Sequence, residues 1–328
     1  MKILVSIASG ANNTERNVLR SFYEGIEQYY FQQFSVSSQR MLKKLHGIDL
    51  RLSYDNEIES CDIAVQFGTV KPRAVEHHVT RQSIQKKAGQ VIYIETPLLG
   101  RTIVEGSKHQ YYRVAIDGFM YNDGIFYGDV IDKTRLTGMR DHLDIPEFPG
   151  WKDHLTGNIL VLLQLPGDAS LRGQKMSEWL LETLAAIREL TPRNIVVRLH
   201  PAMSAKGRAE FYSEIGEVLF KNYKNITWSN GLDRSLNEEL QNAGVCVTYT
   251  SGSAIDAVLA GVPVIAMDEG NLGYPISSHR ISDVLNPKKI GRLELKRWID
   301  QLANSQWSEA EMIESKVWEH LLPLLGDL

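Results

Sequence analysis

Short apolar runs alternate with amphipathic stretches along most of the chain. Lys2–Ile7 is a brief apolar run leading into Ala8-Ser9-Gly10-Ala11-Asn12-Asn13, and from about Thr14 to Gln28 Val18, Leu19, Phe22 and Ile26 recur at helical spacing. A strand, a small-residue loop and a helix are expected. Asp49–Tyr54, Asp62–Phe67 and Gln90–Glu95 read as further strands, with a basic helix near Pro72–Lys87 before the third, and Tyr111–Ile116 and Gly124–Tyr127 read as extended. In Ile145-Pro146-Glu147-Phe148-Pro149-Gly150-Trp151 two prolines and a glycine interrupt every period, which marks a domain boundary.

Beyond that boundary strand and helix patterns alternate regularly. Strands are expected at Asn158–Leu163, Asn194–Leu199, Ile226–Ser229, Val245–Tyr249 and Pro263–Met267, with helices near Gln174–Leu190, Ala205–Asn222, Leu236–Gln241 and Ser253–Ala260 between them. Strands that are apolar on both faces and separated by helices imply a parallel sheet. Right-handed crossovers then put every strand-to-helix loop on one rim. Helical patterns near Leu293–Asn304 and Ser308–Leu322 close the chain. The expected division is an α/β domain over 1–145, a second over 146–292, and helices over 293–328 that pack back on the first.

Composition adds constraints. With 43% hydrophobic and 23% charged residues in 328, the chain is an ordinary globular one, and no run approaches the ~18 apolar residues of a membrane span. A cytoplasmic protein with no membrane span is expected. Cys61 and Cys246 sit far apart inside apolar runs and read as buried free thiols. The net charge of −4 carries no global sign of nucleic-acid binding, but Lys71–Arg113 holds eight Lys/Arg against three Glu, a local +5.

Ligands of open α/β sheets bind outside the carboxyl ends of the strands. Four loops of the second domain occupy that rim: Gln164–Gly173 with Gly167 and Arg172, Arg198-Leu199-His200-Pro201, Thr250-Ser251-Gly252-Ser253, and Asp268-Glu269-Gly270-Asn271. The Ser251-Gly252-Ser253 turn opens a helix, so its N–H groups and hydroxyls suit a phosphate, and Asp256 one turn later suits ribose hydroxyls. The alternative is a plain N-cap with a favourable first-turn charge. Pro201 ends the strand ladder and presents His200 at the rim, as a phosphate donor or as a structural strand-end histidine. Arg172 and Arg198 are candidate phosphate forks. No Walker loop, Gly-x-Gly-x-x-Gly after a first strand, His-Glu-x-x-His, Gly-x-Ser-x-Gly or Asp-x-Asp occurs, which argues against common kinase, dehydrogenase, zincin and hydrolase readings.

The block Val196-Val197-Arg198-Leu199-His200-Pro201, followed about fifty residues later by Thr250-Ser251-Gly252-Ser253-Ala254-Ile255-Asp256, resembles the His-Pro and Ser-rich motifs of capsule-type GT-B glycosyltransferases and the matching parts of UDP-GlcNAc 2-epimerases. The resemblance covers roughly the last half of the chain. It implies a GT-B fold, two Rossmann-like domains facing a cleft, and a hexosyl- or pentosyltransferase using a nucleotide-sugar donor, a UDP-sugar first, without a metal. It further implies that His200, Ser251, Gly252 and Ser253 contact the donor phosphates, that Asp256 takes the ribose, and that Asp268 and Glu269 read the donor sugar. Gln164, Gly167, Arg172 and Arg198 complete that set, and Ser9 and Gly10 approach it from the first domain.

For the acceptor half no motif names a base. Asp117 and Glu95 end expected strands there, and Asp117 is the candidate. Two acceptors stay open, a hydroxymethylated pyrimidine in phage DNA first. The basic stretch, with Lys71, Arg73, Lys86, Lys87 and Arg101, suits double-stranded DNA, and the segments around Glu95 and Tyr111 look like those of phage proteins whose relatives decorate hydroxymethylated pyrimidines. The other acceptor is a bacterial surface polysaccharide. A sugar-nucleotide epimerase, or a nucleotide-binding module without catalysis, is the alternative of a different class.

Overall fold

In a computed structural model, describing residues 1–31, 47–68, 75–100, 110–222 and 224–326, the expected α/β class takes the form of two Rossmann-like units. Unit 1 comprises Met1–Phe119, Asp123–Ile145 and Lys296–Leu328, and unit 2 comprises Met120–Asn122 and Pro146–Leu295.

Unit 1 begins β1 (Lys2–Ser6), α1 (Asn13–Phe31), β2 (Asp49–Ser53), β3 (Cys61–Phe67), α2 (Val75–Lys87), β4 (Ala88–Glu95), β5 (Tyr111–Ile116) and α3 (Arg135–Arg140). β1 pairs in parallel with β2 and β3, and β3 with β4. Strand parity then sorts the side chains. Ile3, Val5, Ile63 and Val65 face Val18, Leu19, Phe22 and Ile26 of α1, while Leu4 and Ala64 on the other face cluster with Ile84 of α2. Both faces are therefore apolar, as buried parallel strands require. Gly124–Tyr127, read as extended, contributes a single bridge, Ile116 to Ile125.

Unit 2 runs β6 (Asn158–Leu162), α4 (Met176–Leu190), β7 (Ile195–Leu199), α5 (Ala205–Asn222), β8 (Ile226–Asn230), α6 (Leu236–Gln241), β9 (Ala243–Thr248), α7 (Ser253–Leu259) and β10 (Val264–Ala266). Its five strands are all parallel, in the order β10-β9-β6-β7-β8. Leu180, Leu184 and Ile187 of α4 are wholly buried against this sheet. Each such side chain contributes about 1.5–3 kcal/mol of hydrophobic stabilisation.

The chain leaves unit 2 along α8 (Arg292–Asn304) and completes unit 1 with β11 (Gln306–Ser308), α9 (Glu309–Ile313) and α10 (Lys316–Leu321). The single helix expected over Ser308–Leu322 is thus replaced by a strand and two short helices. Ser308 ends the strand and caps α9, accepting from Glu311 N–H at 3.3 Å, and Ser315, at φ +65°, breaks the path before α10. β11 lies antiparallel to β5, giving the order β11-β5-β4-β3-β1-β2. Arg135 holds it there, with its guanidinium 3.8 Å from the Trp307 ring centroid, 2.8 Å from Glu311, and donating to the Gln306 carbonyl. The Gln306 side chain in turn accepts from Leu99 N–H at 2.7 Å. Gly25 permits the closest approach, since a Cβ there would stand 1.8 Å from the Met312 carbonyl oxygen.

Candidate functional site

In unit 2 the chain winds outward from β6 to β7 and β8 on one side, and through β9 to β10 on the other. The loops that leave β6 and β9 therefore part at the point where open sheets place their ligands. Gln164 and Thr250 meet there. The Gln164 amide nitrogen donates to Ser170 Oγ at 2.7 Å and Thr250 Oγ1 at 2.9 Å, and its oxygen accepts from Thr250 N–H at 2.9 Å. Thr250 Oγ1 donates onward to the Ser170 carbonyl at 2.8 Å, and Asp168 fixes Ser170 through its N–H at 2.9 Å and its hydroxyl at 2.7 Å. Gln164 and Thr250 are each 6% exposed. A buried amide left unpaired costs about 1–3 kcal/mol, so the network sets the relative position of the two loops.

The loop after β10 is tied to the same place. Asn271 donates to the Tyr249 carbonyl at 3.1 Å and the Ser251 carbonyl at 3.4 Å. Asp268 accepts from Gly270 N–H at 2.8 Å and lies 3.6 Å from Arg172, which sits at φ +52° and also donates to Asn122. Tyr121 N–H donates to the Gly270 carbonyl at 3.0 Å, which explains why Met120–Asn122 belong to unit 2. Burial, reinforced by Asp268, pushes the Tyr249 hydroxyl up and keeps it protonated. Gln164, Arg172, Asp268 and the Ser251–Ser253 turn are thus brought together. Gly167, at φ +75°, turns the β6 loop, and Glu269 is exposed.

The other expected residues divide. His200 follows β7, the neighbour of β6, and its Nδ1 accepts from Ala202 N–H at 3.1 Å, which in the neutral ring leaves the proton on Nε2. Arg198 is buried and donates to the Arg234 carbonyl at 2.8 Å, so its guanidinium supports the loop after β8. Burial lowers its pKa, with Glu239 and Glu238 opposing the effect. Gly252 is the N-cap of α7, while Ser251 Oγ accepts from Ser253 N–H at 3.2 Å. Asp256 is half-buried and bears on Cys246, whose thiol burial pushes well up, which makes it an inert core group. Both cysteines are buried and free. Thr250, Ser170 and Asn271 lie in the expected rim loops but carried no individual role there, and Asn122 lies outside those loops. Only Thr250 had a signal, as the first hydroxyl after an apolar strand.

In unit 1, Ser9 and Gly10 are exposed in the loop after β1, with Ser9 Oγ donating to Asn56 at 3.0 Å. Asp117 stands at φ +62°, where its carboxylate accepts from Val91 N–H at 2.9 Å and from the Gln90 amide at 3.3 Å. Because β5 runs antiparallel to β4, this is the edge where β4 begins, away from the carboxyl ends of β1, β3 and β4. Glu95 ends β4 on the carboxyl side. Lys86 and Lys87 are exposed in the last turn of α2, which leads into the start of β4. Lys71, Arg73 and Arg101 lie outside the described residues. Among the described residues no group of three His, Cys, Asp or Glu is placed to hold a metal ion, and no helix is long and apolar enough to cross a membrane.

No family model matches the chain, and no curated protein does. Among solved structures it is similar to two Thermosulfurimonas dismutans KpsC transferases. The β-Kdo 2,4-transferase is 14% identical, covering 83% of this chain and 88% of that one at a TM-score of 0.45. The β-Kdo 2,7-transferase is 15% identical, covering 97% and 100% at 0.45. UDP-GlcNAc 2-epimerase from Methanocaldococcus jannaschii, solved with UDP-GlcNAc and UDP, is 12% identical over 97% and 99% at 0.34.

Proposed function

We propose that the chain is a glycosyltransferase that binds a nucleotide sugar, a UDP-sugar first, at the carboxyl ends of β6, β7, β9 and β10. The observation that carries this reading is the Gln164–Thr250 network, which holds two polar loops at the switch point of a parallel sheet. The Ser-rich motif after β9 and the His-Pro motif after the neighbouring β7 supply the chemistry. In this reading His200, as an Nε2 donor, and the Ser251-Gly252-Ser253 turn receive the phosphates. Asp256 is assigned to the ribose and Asp268 with Glu269 to the sugar, while Gly167 and Arg172 shape the entry. Gln164 is a positioning residue, and Arg198 positions the loop after β8.

Transfer joins the acceptor oxygen to the anomeric carbon as the bond to the phosphate oxygen breaks. The nucleotide leaves with the electron pair and the acceptor proton passes to a base. Asp117 is not assigned that role, because its carboxylate already holds the start of β4. The acceptor is read as a saccharide hydroxyl. A hydroxymethylated base in DNA is the second reading, favoured by the local +5 charge.

A thermal-shift screen of UDP-, GDP-, CMP- and dTDP-sugars tests the donor site, since a ligand bound only by the folded chain raises its melting temperature. The expected result is a rise with one nucleotide class that disappears in His200→Ala and Ser253→Ala. No rise with any of them sinks the reading. Release of nucleotide only when an acceptor is present separates a transferase from an epimerase.

A further inference from the structure

Unit 1 has a switch point of its own. β2 lies on one side of β1 and β3 with β4 on the other, so the loops leaving β1 and β3 part between them. The face covered by α2 is apolar at Leu4 and Ala64, yet its last pair, Ser6 and Gln66, is polar. Ser6 is 3%, Gln66 2% and Arg81 of α2 4% exposed. These three line a cavity of about 10 Å³, together with Glu15 and Thr80. Among the described residues, Ser6 Oγ, both amide atoms of Gln66 and Nη1 of Arg81 have no hydrogen-bond partner. Arg81 Nη2 is already engaged by the Phe67 carbonyl at 2.6 Å. So many buried polar atoms around one void call for an occupant.

Size and charge select it. The void admits a water-sized group such as one hydroxyl. Glu15 and Glu95 both bear on the Arg81 charge, so an oxyanion would meet two carboxylates. A neutral hydroxyl meets no such repulsion, and it both donates and accepts, matching the amide oxygen, the amide nitrogen and the guanidinium in turn.

We infer that this pocket binds one hydroxyl of a saccharide, anchored by Gln66, Ser6 and Arg81. Resting on the glycosyltransferase reading, that saccharide is the acceptor. The test is titration calorimetry of the full chain with a panel of methyl hexosides and methyl hexosaminides, with inorganic phosphate and duplex DNA as the other probes. At least one glycoside is expected to bind, to weaken tenfold or more in Gln66→Met and in Ser6→Ala, and phosphate is expected not to bind. Gln66→Met is also expected to melt no lower than the parent, because an apolar side chain of similar length replaces unpaired polar atoms. If that variant fails to fold, Ser6→Ala alone decides.

Glycoside binding unchanged in both variants overturns the inference. So does binding of no glycoside at all, which means a structural water only. Duplex binding that Gln66→Met abolishes overturns it in favour of DNA. The donor screen is a separate measurement on unit 2. Glycoside binding without any nucleotide response keeps the pocket and removes the glycosyltransferase reading, and the reverse pattern removes the pocket alone.

Discussion

Thr250→Val tests whether the polar bridge at the unit 2 switch point holds its loops. The exchange keeps the shape of the side chain and removes one oxygen. That oxygen accepts from Gln164 at 2.9 Å and donates to the Ser170 carbonyl at 2.8 Å. Gln164 keeps Ser170 Oγ and Thr250 N–H as partners, so the amide is not orphaned, but the Ser170 carbonyl loses a donor. Two hydrogen bonds at about 1 kcal/mol each, plus part of the penalty for that carbonyl, give roughly 2–3 kcal/mol. In a domain of this size that corresponds to a fall in melting temperature of roughly 4–12 °C. Scanning calorimetry measures it, and a double-mutant cycle with Gln164→Leu is expected to show a coupling of about 1 kcal/mol or more. A Thr250→Val protein that melts within about 1 °C of the parent, or a strictly additive cycle, refutes the reasoning.

Two further predictions concern pH. Burial by itself raises the Glu311 carboxyl, but Arg135 and the Ser308 donors outweigh it and hold the group low. Its stabilisation is therefore present above about pH 4.3 and lost as pH falls through the folded value, and Glu311→Gln should flatten the melting temperature across that range. Burial, aided by the Arg135 charge, lowers the His320 pKa and outweighs the Phe126 carbonyl, which lies 3.2 Å from Nε2 and raises it, so proton uptake favours the unfolded chain. Stability should begin to drop below about pH 6.5, and His320→Gln, which keeps a donor, should remove that earlier onset; an unchanged profile in urea titrations rejects the assignment. Gly25→Ala drives a methyl group onto the Met312 carbonyl and should cost about 1–3 kcal/mol by calorimetry, with protease cleavage appearing first in residues after Asn304.

The long periodic elements were readable because burial repeats at the spacing of the structure, as in Val18, Leu19, Phe22 and Ile26 of α1. β11 was not. Its three residues carry no period, and they form a strand only because β5 offers an open edge and Arg135 grips the Gln306 carbonyl and the Trp307 ring. The direction of β5 was equally hidden, since all six of its residues are buried and a two-sided apolar strand reads alike in either orientation. That misplaced Asp117 relative to the rim. In the rim loops, glycines and hydroxyls after apolar runs marked the turns, but not which way the arginines point. Arg172 meets Asp268 while Arg198 turns to the Arg234 carbonyl, and tertiary neighbours decide between them. Gln66 is masked by the apolar run around it, and a lone amide at a strand's last buried position is the one signal it carries.

The return of the chain to unit 1 bears on how the protein is born. A ribosome releases Met1–Ile145 before any of the residues that cover β5 and the outer face of α1. Until Trp307, Met312 and Trp318 emerge, Phe22 and Ile26 lack part of their packing and β5 remains an open edge. The unit begun first is finished last, with the whole of Pro146–Leu295 folding as an insertion inside it. A chain cut after Ile145 should therefore aggregate, whereas co-expressing it with residues 296–328 supplies the missing strand and helices.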